Sequence, residues 1–269
     1  MTKIYYFSGT GNCLWSAKKI AQLCGENSKL YNIADEIKKS IIDIKADKVI
    51  IVFPAYAYGL PIIVRRFVKR AVFETPYLAA FVTFGSSPGG ALGEMRRILK
   101  KKNIDKLYFG RIPTVENFLV IFGHPKKEIK ERRLAMQAEA TEEAARIIME
   151  LQENKVFTFR IFSSFVSFLF SLAIKIFYKY FRVSQACNGC GICEKTCPVK
   201  AIVLTEGHPV FRAGCQLCVA CIDLCPQNAI KYGRKKFGTP GYRHPEISIN
   251  ELGPRESIKS KQLIDEQAM

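Results

Sequence analysis

The cysteines constrain this sequence more than any other feature. The pattern C-x2-C-x2-C-x3-C-P occurs twice, with Cys187, Cys190, Cys193 and Cys197 in the first run and Cys215, Cys218, Cys221 and Cys225 in the second. Pro198 and Pro226 close the two runs, and Ala-Ile follows each proline at the same offset. We interpret this region as an internal duplication in which each half supplies a loop of ligands and a short strand.

The spacing within each run suits an iron–sulfur cluster. Three cysteines separated by two residues can wrap one corner of a cubane, whereas the fourth lies too far along the chain to close the same cube. In bacterial two-cluster ferredoxins this fourth cysteine binds the other cluster. We therefore predict two 4Fe–4S clusters with exchanged ligands. One set is Cys187, Cys190, Cys193 and Cys225, and the other is Cys215, Cys218, Cys221 and Cys197.

Zinc is the alternative for these cysteines, because pairs of C-x2-C also form four-cysteine zinc sites. Zinc ribbons use two cysteines per knuckle, however, and not four followed by proline. The N-terminus, Met1-Thr2-Lys3, leads directly into an apolar stretch without a signal-peptide pattern. We therefore expect a cytoplasmic protein, and membrane association is the alternative location. Cytoplasmic cysteines are more often metal ligands than disulfides.

The first 154 residues alternate between strand and helix patterns. Predicted strands are 3–8, 29–33, 48–53, 78–84 and 106–110, and predicted helices are 12–24, 61–73, 91–102 and 126–153. Several strands are continuously apolar, and most are followed by a helix, which is typical of a parallel sheet covered on both faces. The pattern predicts an α/β fold with a doubly wound, five-stranded parallel sheet. Ligands of such sheets bind beyond the carboxyl ends of the strands.

A glycine-rich loop joins the first strand to the first helix. Gly9 and Gly11 permit positive φ angles and close backbone approach. The amino end of the helix directs free N–H groups at this loop, so a phosphate group is the expected ligand. The loop has no Gly-Lys-Ser/Thr sequence of a nucleotide-hydrolysing P-loop, and Leu14 stands where the dinucleotide fingerprint needs glycine.

This loop, Ser-Gly-Thr-Gly-Asn-Cys, resembles the loop that holds the FMN phosphate in flavodoxins. Cys13 replaces the last hydroxyl residue of that pattern, so one phosphate contact is expected from a backbone N–H alone. The resemblance implies FMN bound by three loops, with Tyr56 or Tyr58 stacked on the isoalloxazine ring. The implied FMN-binding residues are Ser8, Gly9, Thr10, Gly11, Asn12, Cys13, Pro54, Ala55, Tyr56, Ala57, Tyr58, Gly59, Gly85, Ser86, Ser87, Gly89 and Gly90.

Over roughly residues 1–232 the chain resembles the EFR-type ferrodoxin family, which joins a flavodoxin-like domain to a bacterial two-cluster ferredoxin. The resemblance includes the glycine loop, the sequence Phe-Pro-Ala-Tyr, the stretch from Ile112-Pro113 to Asn117, and the two cysteine runs. It implies a flavodoxin-like sheet, a small α+β ferredoxin domain and a redox function without a named substrate.

Four segments follow from these patterns. We predict an FMN-binding domain at 1–154, a Phe-rich basic linker helix at 155–182, the two-cluster domain at 183–232 and a polar tail at 233–269. The apolar part of the linker, 161–174, is shorter than the ~20 residues that span a bilayer. It either clamps the two domains together or lies on a membrane surface, since basic aromatic amphipathic segments can do so.

The formal net charge is +17, which suits acidic partners. Nucleic-acid binding is disfavoured because no recognised nucleic-acid-binding fold accompanies the charge. We expect an electron-transfer protein that couples one-electron clusters to a two-electron flavin, with a ferredoxin-like donor or a reductase as redox partner. The alternatives are an iron–sulfur subunit that senses redox state or docks on a membrane or complex, and a chain whose N-terminal domain has lost its flavin.

Overall fold

The computed structural model describes residues 1–118, 123, 125–154, 169–170, 174, 176–233 and 241–253. Most of the predicted linker, 155–182, and of the predicted tail, 233–269, therefore lies outside the described residues. The strands of the N-terminal part are β1 (Thr2–Tyr6), β2 (Ser28–Asn32), β3 (Asp43–Lys45), β4 (Lys48–Pro54), β5 (Val72–Glu74), β6 (Tyr77–Phe84) and β7 (Lys106–Pro113). Its helices are α1 (Asn12–Leu23), α2 (Ile33–Glu36), α3 (Ile62–Arg70), α4 (Ala91–Leu99) and α5 (Lys127–Met149).

Five of these strands form one parallel sheet in the order β2-β1-β4-β6-β7. Counted along the chain, this is the order 2-1-3-4-5 of flavodoxin-like sheets, whose ligands bind at the switch point beside β1. The predicted fold class is confirmed. The two short strands β3 and β5 pair with each other outside this sheet and were not predicted, because three residues carry too little pattern.

Both faces of the sheet are covered, as the continuously apolar strands require. All of β4 between its terminal residues is buried, and so is β6 apart from Phe84. One face packs on α3 and α4 around Val64, Phe67 and Met95. The other packs on α1 and α5, where the buried Gln137 donates hydrogen bonds to Asn12 O at 3.0 Å and Ser16 Oγ at 3.1 Å. These hydrogen bonds from α5 hold the amino end of α1 in place.

The cysteine-rich part consists of two small two-stranded antiparallel sheets and two short helices. The strands are β8 (Phe181–Val183), β9 (Ile202–Thr205), β10 (His208–Phe211) and β11 (Ile230–Tyr232), and the helices are α6 (Ile192–Lys195) and α7 (Ala220–Asp223). β9 pairs antiparallel with β10, and β8 with β11. Each cysteine run thus supplies one helix and one strand, as the internal duplication predicts.

Residues 241–253 return to the N-terminal part and pack between it and the cysteine-rich part. Tyr242, His244, Ile247 and Leu252 are buried there. Within the described residues, no helix has both the length and the apolar character needed to cross a membrane.

Candidate cluster ligands and flavin cavity

The first predicted cysteine set lines one cavity. Cys187, Cys190, Cys193 and Cys225 form its wall together with Ile192, Leu204, Pro209 and Ile230. Cys190 is exposed and the other three are half-buried. The fourth cysteine of the second run therefore meets the first three cysteines of the first run.

Electrostatic interactions also connect the four cysteines of this first set. Burial raises the pKa of Cys193 to about 11. Among the other influences, negative charge on Cys225, Cys190 and Cys187 raises it further. A thiol in this environment keeps its proton until a cation is present, so metal binding here would release protons.

The second predicted set lies deeper. Cys197 and Cys221 are buried, while Cys215 and Cys218 are half-buried by side-chain exposure. Burial raises the pKa of Cys218, and negative charge on Cys197 and Cys215 raises it further. Burial also raises the pKa of Cys215 to about 11, with Cys197 again contributing. Cys197 therefore lies with the cysteines of the second run.

Backbone amides point at the sulfurs in equivalent places of the duplication. Ala201 N donates to Cys197 Sγ at 3.2 Å, and Ala229 N donates to Cys225 Sγ at 3.3 Å. Leu217 N donates to Cys215 Sγ at 3.3 Å. Hydrogen bonds of this kind stabilise negative charge on a sulfur and tune the potential of a cluster.

A site for a single metal ion requires a different arrangement of ligands from a 4Fe–4S cluster. Of the residues that the structure describes, no three or more His, Cys, Asp or Glu side chains form a group able to hold one metal ion. A 4Fe–4S cluster is instead held by four thiolates around a much larger inorganic core.

The glycine loop lies at the carboxyl end of β1 and begins α1. Gly11 caps the helix with φ 103°, a left-handed value that favours glycine. Gly11 N donates to Ser8 Oγ at 3.2 Å. Within the described part of the chain, the backbone N–H groups of Gly9, Thr10, Asn12 and Cys13 have no hydrogen-bond acceptor. Such a set of free donors at a helix amino end fits a phosphate group.

A cavity of about 530 Å³ opens beside this loop. Thirteen of the seventeen predicted flavin-binding residues line it, and the other four, Gly11, Gly59, Gly89 and Gly90, do not. The thirteen are Ser8, Gly9, Thr10, Asn12, Cys13, Pro54, Ala55, Tyr56, Ala57, Tyr58, Gly85, Ser86 and Ser87. The volume lies within the range of cofactor pockets, so an FMN fits the cavity in size and in the chemistry of its phosphate end.

The second loop forms a tight two-residue turn. Tyr56 and Gly59 exchange backbone hydrogen bonds of 3.0 and 2.9 Å across Ala57 and Tyr58. Both central residues have positive φ, 45° and 64°, which is uncommon outside glycine, asparagine and aspartate. Strain of this kind is often found at ligand sites. Here it holds the two tyrosines at the cavity.

The glycines of the third loop make room for that turn. A Cβ atom on Gly89 would collide with the backbone and Cβ of Tyr58, and Gly90 N donates to Tyr58 O at 2.8 Å. Gly89 also has φ +56°. These two glycines therefore support the tyrosine turn from behind instead of contacting the cavity.

The side chain of Cys13 has a hydrogen-bond partner in the sheet. Its sulfur is buried and lies 3.1 Å from Thr83 Oγ1, so the side chain already has a partner in β6. Burial raises the pKa of this thiol to about 12, while the Thr83 contact lowers it. Cys13 is therefore a neutral wall residue whose backbone N–H remains free.

Sequence reasoning missed a large part of the cavity wall. The additional residues come from the ends of β6 and β7 and from outside the sheet; they are Thr83, Phe84, Thr114, Val115, Glu116, Asn117, Phe118, Phe170, Leu217 and Cys218. The segment after β7 resembled the ferrodoxin family without carrying a residue pattern of its own. Phe170 belongs to the Phe-rich segment, and nothing in its sequence indicates that it reaches this cavity.

Two of these residues have defined polar roles. Asn117 Nδ2 donates to Thr10 Oγ1 at 2.6 Å, which fixes the side chain of Thr10 in the glycine loop. Glu116 accepts a hydrogen bond from Phe118 N at 3.1 Å, and its carboxyl group occupies the space where a Cβ of Gly85 would lie. Gly85 thus admits a carboxylate to the cavity.

The cavity and the second cysteine set share a wall. Cys218 lines the cavity, and a Cβ atom on Gly9 would lie 3.6 Å from both Cys218 Sγ and Tyr56 Oη. The pKa of Tyr56 is raised by burial first, and then by negative charge on Cys218, Cys13 and Cys215. The cavity predicted to hold the flavin and the deeper cysteine set are therefore adjacent.

Comparisons with known proteins identify the cysteine-rich part. Residues 186–230 match the model of the 4Fe-4S dicluster domain family. The ferredoxin of Chlorobaculum thiosulfatiphilum is 36% identical over 58 residues, which are 19% of this chain and 95% of that protein. One component of an ion-translocating oxidoreductase complex from Methanosarcina acetivorans is 46% identical over 46 residues, only 17% of its length and 17% of this chain.

The N-terminal part is similar to solved flavodoxins. The flavodoxin of Streptococcus pneumoniae TIGR4 is 16% identical, with a TM-score of 0.34, and the match covers 53% of this chain and 98% of that one. The order of the five strands is the flavodoxin-like order on its own evidence. Through its cysteine-rich part the chain belongs to the ferredoxins, and it joins a 4Fe–4S dicluster domain of that family to a flavodoxin-like domain.

Proposed function

We propose that this chain is an electron-transfer flavo-iron–sulfur protein that holds two 4Fe–4S clusters and one FMN. Its role is to pass low-potential electrons between a ferredoxin-like donor and a reductase or a small acceptor. The observation that carries this proposal is the shared wall at Cys218, which belongs to the deeper cysteine set and lines the flavin cavity.

The cluster ligands in this proposal are the two exchanged cysteine sets. Cys187, Cys190, Cys193 and Cys225 share a cavity, which supports the first set. The charge interactions among Cys197, Cys215 and Cys218 support the second. The N–H groups of Ala201, Leu217 and Ala229 would stabilise negative charge on the sulfurs.

The FMN ligands follow from the cavity. The free N–H groups of Gly9, Thr10, Asn12 and Cys13 would bind the phosphate, with the positive end of α1 behind them. Tyr56, Tyr58, Phe118 and Phe170 supply aromatic walls that would exclude water from the ring. When bound, FMN supplies storage for two electrons beside clusters that each carry one.

The exposure of the two cysteine sets suggests where partners approach. The first set is open to solvent at Cys190, whereas the second set has no exposed cysteine and contributes Cys218 to the wall of the cavity. We infer that a redox protein docks over the first set. A partner there would reach the flavin cavity through the second set.

Oxygen-free purification with iron, sulfide and flavin measured together tests the proposal. We expect about eight iron and about eight sulfide per chain, as two 4Fe–4S clusters require, and one FMN. Colourless protein with bound zinc would contradict the cluster assignment. Full iron and sulfide without flavin would remove the flavin part and leave a ferredoxin.

A second candidate is an iron–sulfur component of a larger complex, without turnover of its own. The partial match to a component of an ion-translocating oxidoreductase complex favours it. Purified protein distinguishes the two. A carrier takes electrons from reduced ferredoxin and delivers them to a soluble acceptor, whereas a docking component is reduced slowly and pellets with anionic vesicles or a complex.

A further inference from the structure

The C-terminal segment 241–253, here called the clasp, joins the two cofactor regions. At its start, Gly241 lies so close to the backbone of Asp223 that no Cβ would fit. At its end, Gly253 lies equally close to the backbone of Lys195, and its carbonyl accepts a hydrogen bond from Asn32 Nδ2 at 3.0 Å. The clasp therefore contacts α6 and α7 of the cluster domain and the end of β2.

The middle of the clasp lies against the back of the glycine loop. His244 N donates to Thr10 O at 2.9 Å, and the His244 ring stacks on Trp15 with centroids 4.8 Å apart. A Cβ atom on Gly11 would lie 3.0 Å from the Cβ of His244. Ile247 and Leu252 complete the apolar core around α1. This explains why Gly11 faces the clasp and not the cavity.

One residue of the clasp, Tyr242, makes hydrogen bonds in both directions, with its backbone N–H on one side and its side-chain hydroxyl on the other. Tyr242 is buried; its N–H donates to Asp223 Oδ1 at 2.9 Å and its hydroxyl donates to Asn12 Oδ1 at 2.6 Å. Asp223 lies on α7 between Cys221 and Cys225, one ligand from each predicted set. Asn12 begins α1, and its Nδ2 donates to Val115 O at 3.3 Å on the cavity wall.

We propose that Tyr242 is a positioning residue that couples FMN binding at the glycine loop to the seating of the cluster domain. The inference rests on the proposed function, because it takes the cavity to be an FMN site. The clasp holds Thr10 by its carbonyl and Asn12 by its side chain, which leaves the N–H groups of both residues directed to the phosphate. A loop held in its binding conformation loses less entropy when the ligand arrives.

The coupling must be reciprocal. If the clasp favours FMN binding, bound FMN favours the closed clasp by the same free energy. Removing the Tyr242 hydroxyl deletes one buried hydrogen bond and leaves Asn12 Oδ1 without its donor. We expect FMN affinity to fall about fivefold, equivalent to ~1 kcal/mol.

The test uses the full-length protein with its clusters, and measures the FMN dissociation constant of wild type, Tyr242→Phe, Asn12→Ala and the double variant. Tyr242→Phe should weaken FMN binding about fivefold without loss of iron or sulfide, and should have almost no further effect in the Asn12→Ala background. Tyr180→Phe, at an exposed tyrosine, is the matched control and should bind FMN like wild type.

Three results would overturn the inference. They are an unchanged FMN affinity in Tyr242→Phe, an effect that simply adds to that of Asn12→Ala, and an equal loss in Tyr180→Phe. Wild-type protein that binds no FMN overturns the proposed function as well, so the two failures differ. If Tyr242→Phe does not fold, hydrogen exchange of wild type replaces it: FMN should slow exchange within 241–253, and unchanged exchange overturns the inference.

Discussion

Gly9 of the glycine loop and Cys218 of the deeper cysteine set are neighbours, because a Cβ atom on Gly9 would lie only 3.3 Å from the Cβ of Cys218. This proximity brings the proposed phosphate-binding loop next to a proposed cluster ligand. Gly9 has no positive φ angle, so its need for glycine is one of space.

Side chains at Gly9 should therefore push the two sites apart. We expect Gly9→Ala to lower the free energy of unfolding by about 1 kcal/mol and Gly9→Val by about 2–3 kcal/mol, as overpacking does. Both should also slow electron transfer between clusters and flavin, with the larger side chain slower. Denaturant unfolding and rapid-mixing kinetics under oxygen-free conditions measure the two effects.

Gly93→Ala is the control for these variants. Gly93 lies within α4, where alanine should raise stability by about 0.5–1 kcal/mol and leave electron transfer unchanged. Equal kinetics in wild type and Gly9→Val would show that the contact with Cys218 does not set the separation of the cofactors.

The rate of iron release tests whether the fourth cysteine of each run binds the cluster of the other run. Because Cys190 is exposed and Cys221 is buried, a chelator with oxidant should remove about four iron atoms quickly and about four slowly. We expect Cys225→Ser to abolish the fast phase and Cys197→Ser to abolish the slow phase. If each substitution removed the phase of its own run instead, the exchanged assignment would be wrong.

His244 should make stability depend on pH. Burial lowers the pKa of His244 to about 4, from 6.5, while the charge of Glu246 raises it. Between these values the unfolded chain binds a proton that the folded chain does not, so stability falls as pH decreases from about 6.5 to about 4. The loss is on the order of 2 kcal/mol, after allowance for partial screening.

Unfolding by denaturant at several pH values measures this loss in wild type and in His244→Gln, which should flatten the profile over that window. Protonation also removes the Nδ1 acceptor of Glu246 N, a bond of 3.3 Å. His208→Gln, at an exposed histidine, should keep the wild-type profile. An unchanged profile in His244→Gln would exclude His244 as the responsible group.

Glu116 should lower the reduction potential of the bound flavin. Its carboxylate lines the cavity, and reduction adds negative charge to the cofactor. We expect Glu116→Gln to raise the two-electron potential by about 10–30 mV, since 30 mV corresponds to ~1.4 kcal/mol. Potentiometric titration measures this, and Glu142→Gln on the exposed face of α5 removes the same charge as a control. An equal shift of the potential in both variants would show that the effect comes from the net charge of the protein and not from the position of Glu116.

The sequence predicts those features whose signal is local. The central strands β4 and β6 are apolar over most of their length, so their composition predicts their place in a covered parallel sheet. The glycine loop and the cysteine runs each have a characteristic residue spacing within a short segment. Most of the residues predicted from these spacings therefore lie together in the structure, at the cavity or among the cysteines.

The remaining features depend on residues distant in sequence. Glu116 and Phe118 follow β7 in a stretch with no periodic pattern, and only the strand order brings them beside Ser8. Tyr242 and His244 stand in a polar segment of scattered glycine and proline, which predicts a tail. His244 occupies the space that Gly11 leaves at the start of α1, and the Tyr242 hydroxyl donates a hydrogen bond to Asn12.

The clasp also bears on how the protein is made. Ile247 and Leu252 complete the core around α1, yet they are synthesised after every strand of the main sheet and after both cysteine runs. Domains emerging from the ribosome tend to fold in order from the amino end. In this chain the flavodoxin-like part leaves the ribosome with one side of its first helix uncovered, and that side closes only after the cluster domain has been translated.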